Sequence, residues 1–183
     1  MNIFVLDLEP KKCAEYHCDK HLVKMITEHN QILAAVKWLG MGIEKKSQIT
    51  DDMKKSFIGF PRKFEDGSPN PYGITHKNHP CTVWARESMQ NYLWLCNVTL
   101  YMCEEYTKRY GRRHAGEDIC GWYYSNMPAT LPMLQMTPFA QAMPEDCRNT
   151  DAVTAYRNYY VKYKKEIARW AHSETPEWFK IAA

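Results

Sequence analysis

Two long stretches, residues 10–39 and 80–110, contain no glycine or proline after their opening residue. Each starts on a proline, Pro10 or Pro80, and each is closed by a glycine, Gly40 or Gly111. Proline suits the first helical position, where its missing N–H is no loss, and glycine suits the left-handed residue after a helix end. The punctuation therefore predicts two long helices. A third is predicted over 150–172, capped by Thr150 or Asp151, with short helices near 51–57 and 116–125. Residues 2–8 alternate loosely and read as a short strand or an extended arm; strand signals are otherwise scarce. The expected fold is all-α, one compact domain over residues 1–183, built on three long helices. The connections at 40–79 and 126–147 are long, irregular and rich in Gly, Pro or Met, which marks them as functional or mobile.

Composition excludes several classes. A chain of 183 residues suits one domain, and 45% hydrophobic with 25% charged residues excludes a disordered chain. The longest apolar runs fall far short of the roughly 20 residues a spanning helix needs, and Asp7 and Glu9 interrupt an opening that has no basic leader, unlike a signal peptide. Seven cysteines with no Cys-x-x-Cys pair read as reduced core thiols in a cytoplasmic protein. A net charge of +3 permits a nucleic-acid partner without requiring one. The 12 Tyr and 6 Trp point to a binding surface.

Chemistry-bearing residues gather in three places. On the first helix His17, Lys20, His21, Lys24, Glu28 and Gln31 fall within an arc of roughly 100°, beside an apolar face. Groups of this kind can exchange protons or read hydrogen-bonding partners; the plainer alternative is a solvated face with a Lys24–Glu28 pair at i, i+4. His76, Lys77, Asn78 and His79 precede the second helix, where free N–H groups and the helix dipole favour a phosphate that Arg86 reinforces, or where Asn78 and His79 act only as caps. On the last helix Arg157, Lys162, Lys164, Lys165 and Arg169 interleave with Tyr156, Tyr159, Tyr160 and Tyr163, a pattern suited to phosphates and stacked bases. His17 and His21, spaced i, i+4, also allow a metal site completed by His76 or His79.

The run Asp19-Lys-His-Leu-Val-Lys-Met-Ile-Thr-Glu-His-Asn-Gln-Ile-Leu, the later Asn78-His79-Pro80 and Trp84, and the tail Pro176-Glu-Trp178-Phe179-Lys180 resemble the pyrimidine-dimer DNA glycosylase family of the phage endonuclease V type. The resemblance implies a compact helical enzyme. In it an amine attacks the sugar C1′, the base leaves, a Schiff base forms and a carboxylate assists proton transfer. It also implies that the tail contributes to damaged-DNA binding. The family's nucleophile is the amine of an N-terminal threonine; this chain begins Met1-Asn2. The Met1 amine, Lys20 or Lys24 remain as nucleophiles, with Glu28 as the carboxylate. An α-amine, titrating near 7.7–8.0, is better suited than a lysine near 10.4.

The expected function is excision of a damaged or modified pyrimidine from DNA, with or without lyase activity. The alternatives are a phage DNA-binding or base-modifying protein on the same scaffold, and a metal-dependent hydrolase on His17, His21 and His79. The expected DNA contacts are His17, His21, Gln31, His76, Asn78, His79, Arg86, Arg157, Lys165, Trp178 and Lys180. No cofactor is expected, and the chain is expected to act as a monomer in the cytoplasm, that of a bacterial host if phage-encoded.

Overall fold

The computed structural model describes residues 1–182. In chain order the helices are α1 (Pro10–Tyr16), α2 (Asp19–Gly40), α3 (Asp51–Lys55), α4 (Pro80–Glu87), α5 (Met89–Tyr110), α6 (Gly116–Ser125), α7 (Ala152–Tyr159) and α8 (Glu177–Ala182). The fold is all-α, and no strand occurs among the described residues. The two 22-residue helices form its centre. α5 packs on α1, α2, α4 and α6, and α2 packs on α4, α5 and α6. α6 approaches α2 closely because it opens on Gly116: a Cβ there would sit 2.6 Å from Ile26 Cγ2, and Asn30 Nδ2 donates to the Gly116 carbonyl at 2.9 Å. No helix among the described residues is long and apolar enough to cross a membrane. All seven cysteines are buried and unbridged.

Each of the three long predicted helices is interrupted. The first breaks at His17 and Cys18, both extended (ψ 130° and 159°). No local breaker stands there; the bend is held by distant residues. Arg109 of α5, fully buried, donates through Nη2 to the Glu15 carbonyl and through Nη1 to the His17 carbonyl, both at 2.9 Å. It also pairs with Glu105 at 2.8 Å and Asp19 at 3.1 Å. A cation at the end of α1 satisfies carbonyls that the helix leaves open. Arg109→Met removes it and leaves buried acceptors unpaired, so about 3–5 kcal/mol of stability should be lost. For a chain of this size that lowers the melting temperature by roughly 6–20 °C, which thermal unfolding checks.

The second long helix breaks at Ser88, whose hydroxyl accepts from Asn91 N and caps α5. The third is capped by Asp151 as expected, but α-helical pairing stops at Tyr159 and gives way to a π turn over Tyr160–Lys164.

Residues 2–6 form the extended arm, and it lies in the core: Ile3, Phe4, Val5 and Leu6 are buried. Without a sheet partner, its backbone groups bond to side chains. The Ile3 N–H donates to Asn2 Oδ1, the Phe4 carbonyl accepts from Cys13 Sγ, the Leu6 N–H donates back to that sulfur, and the Leu6 carbonyl accepts from Arg157 Nε. Burial pushes the Cys13 thiol up to about 12, so it stays a donor. Phe4 has φ +40°, a strained value for a residue with a side chain. Its ring is held by a stack on His21 (4.4 Å between centroids), a second stack on Tyr159, and edge contacts with His17, Tyr156 and Tyr160.

Candidate active site

The arm delivers the chain's amino group to α2. Met1 N lies 3.4 Å from Glu28 Oε2, and the Asn2 N–H donates to the same oxygen at 3.1 Å. The other oxygen, Oε1, pairs with Lys24 Nζ at 3.2 Å. The Glu28 side chain is only 13% exposed, whereas that of Lys24 is 68% exposed. One carboxylate therefore touches two amines, one enclosed and one at the surface.

Asn2 fixes this arrangement. Its Nδ2 donates to the Ala142 carbonyl at 2.7 Å, and its Oδ1 lies 2.9 Å from the Tyr156 hydroxyl and 3.7 Å from the Cys81 thiol. The Tyr156 hydroxyl is also 2.7 Å from the Ala140 carbonyl. The arm is thus tied to α4, α7 and the 126–147 connection within two residues of its amine. Neither Asn2 nor Cys81 stood out in the sequence as part of a site; Tyr156, expected to stack on bases, is instead fully buried and locks the arm through its hydroxyl.

His79 caps α4, its Nδ1 accepting from Cys81 N at 3.2 Å, which leaves Nε2 to carry the ring proton. Burial lowers its pKa, and the neighbouring N-terminal charge and His76 lower it further, against a smaller pull from Glu28. A neutral imidazole donor thus stands within electrostatic reach of the amine and the carboxylate. His76 is exposed at φ +47° and Asn78 is exposed.

The expectation of free N–H groups for a phosphate at the start of α4 needs correction. Pro80 has none, Cys81 N is taken by the cap, and Thr82 N and Val83 N both donate to the His79 carbonyl at 2.9 Å. Arg86 turns back to donate to the Lys77 carbonyl at 2.6 Å, so it braces the 76–79 turn.

The polar stripe divides. Met1, Lys24, Glu28 and His79 come together, with Gln31 half-buried one turn beyond Glu28. Lys20 is exposed, about 12 Å from Glu28 along the helix. His17 and His21 face inward: His17 Nδ1 bonds to the Cys13 carbonyl at 2.7 Å, and His21 Nδ1 to the Tyr160 hydroxyl at 2.6 Å. Both support the arm. Among the described residues no three His, Cys, Asp or Glu are grouped to hold a metal ion, so the grouping of His17, His21 and His79 as ligands is not assembled.

The C-terminal candidates form a separate cluster. Arg157 lies over the rings of Tyr16 (5.5 Å) and Trp178 (5.3 Å), and pairs with Asp7. Trp178 also contacts Tyr160, and Lys180 pairs with Glu177 on the surface. Lys165 is exposed just beyond the π turn.

Comparison with known proteins fits this geometry. The profile of the pyrimidine dimer DNA glycosylase family matches residues 1–118 of the 183, and the chain belongs to that family of DNA repair enzymes. The matched span carries the arm, Lys24, Glu28 and the His79 cap; Ala142 and Tyr156, which lock the arm, lie outside it. No individual curated protein and no solved structure matches the chain.

Proposed function

We propose that the protein is a DNA glycosylase that removes a damaged or modified pyrimidine, with its N-terminal α-amine as nucleophile and Glu28 as proton carrier. The observation that carries this reading is the enclosed Met1 amine 3.4 Å from Glu28. Amine and carboxylate are held together by the same Asn2 contacts that tie the arm to α4, α7 and the 126–147 connection. The α-amine is favoured over Lys24 on two grounds. Lys24 is largely solvent-exposed and free to swing, whereas the arm is pinned at Asn2 and Phe4. At neutral pH an ordinary α-amine is also unprotonated roughly a few hundred times more often than an ordinary lysine.

In the proposed step the amine lone pair bonds to C1′ as the glycosidic bond breaks, and the base leaves with the bonding pair and takes a proton from solvent. Glu28 takes one proton from the attacking nitrogen and returns it to O4′ as the C1′–O4′ bond opens with its electron pair on O4′, leaving a protonated imine. β-Elimination from that imine would give lyase activity. His79, as a neutral donor near the amine and Glu28, would hydrogen-bond a sugar or base oxygen.

Borohydride trapping on duplexes carrying defined pyrimidine lesions tests this. Hydride reduces the imine and fixes the strand to the protein, and peptide mapping then locates the bond. The expected result is a crosslink at the N-terminal residue, lost when the α-amine is blocked by reductive methylation at mildly acidic pH. A crosslink on Lys24 that survives the block moves the nucleophile to Lys24. Duplex binding without trapping or cleavage on any lesion favours the binding or base-modifying alternative.

A further inference from the structure

The connection between α6 and α7 carries an apolar tip that the site does not use. Met133, Leu134 and Met136 are 79%, 60% and 43% exposed. Among the described residues, the other exposed large hydrophobics are scattered singly, whereas here three fall within four positions. Isolated exposed apolar residues need no explanation; a cluster on a protruding loop does.

The tip is exposed but held on both sides. Before it, the Pro132 carbonyl accepts from Met89 N at 2.8 Å. After it, Thr137 N donates to Asn91 Oδ1 at 2.9 Å, while the Thr137 hydroxyl accepts from Asn91 Nδ2 and donates to Glu87. Phe139 then seats against Trp84 and Trp94. Both anchors stand at the junction of α4 and α5, so the four residues between them project as a short, braced finger.

The finger is mechanically continuous with the amine. The chain runs from Thr137 to Ala140 and Ala142, whose backbone groups bond Tyr156 and Asn2. Along α4, Glu87, which holds Thr137, is about 9 Å from Cys81, which touches Asn2.

We propose that residues 133–136 are a wedge that enters the base stack of duplex DNA beside the target nucleotide. The inference rests on the DNA glycosylase reading. Met and Leu are among the side chains that proteins insert between base steps to unstack and kink a duplex. A glycosylase that must reach C1′ needs its target nucleotide displaced from the helix. The apolar side chains fill the space between parted bases, and the two anchors keep the finger from folding away under the load.

The test reads binding, not chemistry. A duplex carrying a tetrahydrofuran abasic analogue, with 2-aminopurine in the next base pair, is titrated with the full-length protein at low salt. A single strand of the same sequence is titrated in parallel. The wild type should raise 2-aminopurine fluorescence on the duplex. Met133→Ser/Leu134→Ser/Met136→Ser should abolish that rise and weaken duplex binding roughly tenfold or more, with single-strand affinity and helical circular dichroism unchanged. Met133→Leu, which keeps the apolar volume, should behave as wild type.

A triple variant with the wild-type signal and the wild-type ratio of duplex to single-strand affinity overturns the wedge, as does a wild-type protein that binds duplex without unstacking it or does not bind it at all. A wild type that unstacks the duplex but is never trapped by borohydride sustains the wedge and sinks the glycosylase chemistry, so the two failures are told apart.

Discussion

Glu28→Gln should lower single-turnover excision by about 10²–10⁴-fold, the range for loss of a positioned acid–base group. Duplex affinity should stay within a few-fold of wild type. The carboxylate is nearly enclosed, and both its oxygens are committed to amines or to the Asn2 N–H. Glutamine matches its shape and still offers one acceptor to Asn2 N, so the arm keeps its place. What is lost is the capacity to take a proton from the attacking nitrogen and the negative charge opposite a developing cation. The comparison with Lys24→Met sharpens the result. Lys24 meets Glu28 from the solvent side, where an exposed ion pair is worth little, so that variant should retain most of its rate. Single-turnover kinetics on a lesion duplex, with affinity measured separately, checks both. Full activity in Glu28→Gln would place the chemistry elsewhere.

What could be read from the residues follows the range over which each feature is determined. Pro10, Pro80, Gly111 and Asp151 act within a turn of themselves, and the helix ends they mark stand where expected. Ser88 is also a local cap, but it sits inside a continuous apolar pattern that reads through it. The break at His17 and Cys18 has no local cause. It depends on Arg109, ninety-two residues from His17, and on Asp19 N donating to the Arg169 carbonyl. The site divides the same way. Glu28 and Lys24 are spaced to meet on one helix, and they do. The approach of Met1 to Glu28 is made by an arm whose backbone bonds to Cys13 and Arg157, and no periodicity in residues 2–8 announces such partners. Helical periodicity put His17 and His21 on the polar face because it treats imidazole as polar. A neutral ring with one hydrogen bond packs as an aromatic, and that is how both rings serve Phe4.

That use of imidazole has a consequence for stability in acid. His17, His21 and His29 are all buried. Burial is the leading cause in pushing their pKa values down, to about 4 for His17 and about 3 for His21 and for His29. For His21 and His29 the charge on His17 depresses them further, and for His17 the nearby Arg109 does so. The Nε2 atoms of His17 and His29 have no hydrogen-bond partner in the fold, so a proton there would be a buried, uncompensated charge. With folded values below the ordinary 6.5, the unfolded chain binds protons first. The three rings therefore contribute their full stability above about pH 6.5 and lose it progressively as the pH falls toward 3–4. By pH 5 each should have lost about 2 kcal/mol, at 1.36 kcal/mol per unit, or about 6 kcal/mol together, which rivals the whole net stability of a typical domain. The carboxylates with lowered pKa values, Glu44, Asp51, Asp66, Asp146 and Asp151, are exposed and act only below about pH 4.5, so they do not share this window. Melting temperature should accordingly fall steeply between pH 6.5 and pH 5; His79 and His114, half-buried with pKa values lowered by burial, add to that slope in the same sense, and His29→Leu should flatten it in part. Because His17 and His21 hold Phe4, and Phe4 holds the arm, excision should fail before global unfolding as the pH is lowered. A melting temperature that stays level from pH 7 to pH 5 would mean that the three rings are not buried as neutral groups, and the account of how the amine is held against Glu28 would fall with it.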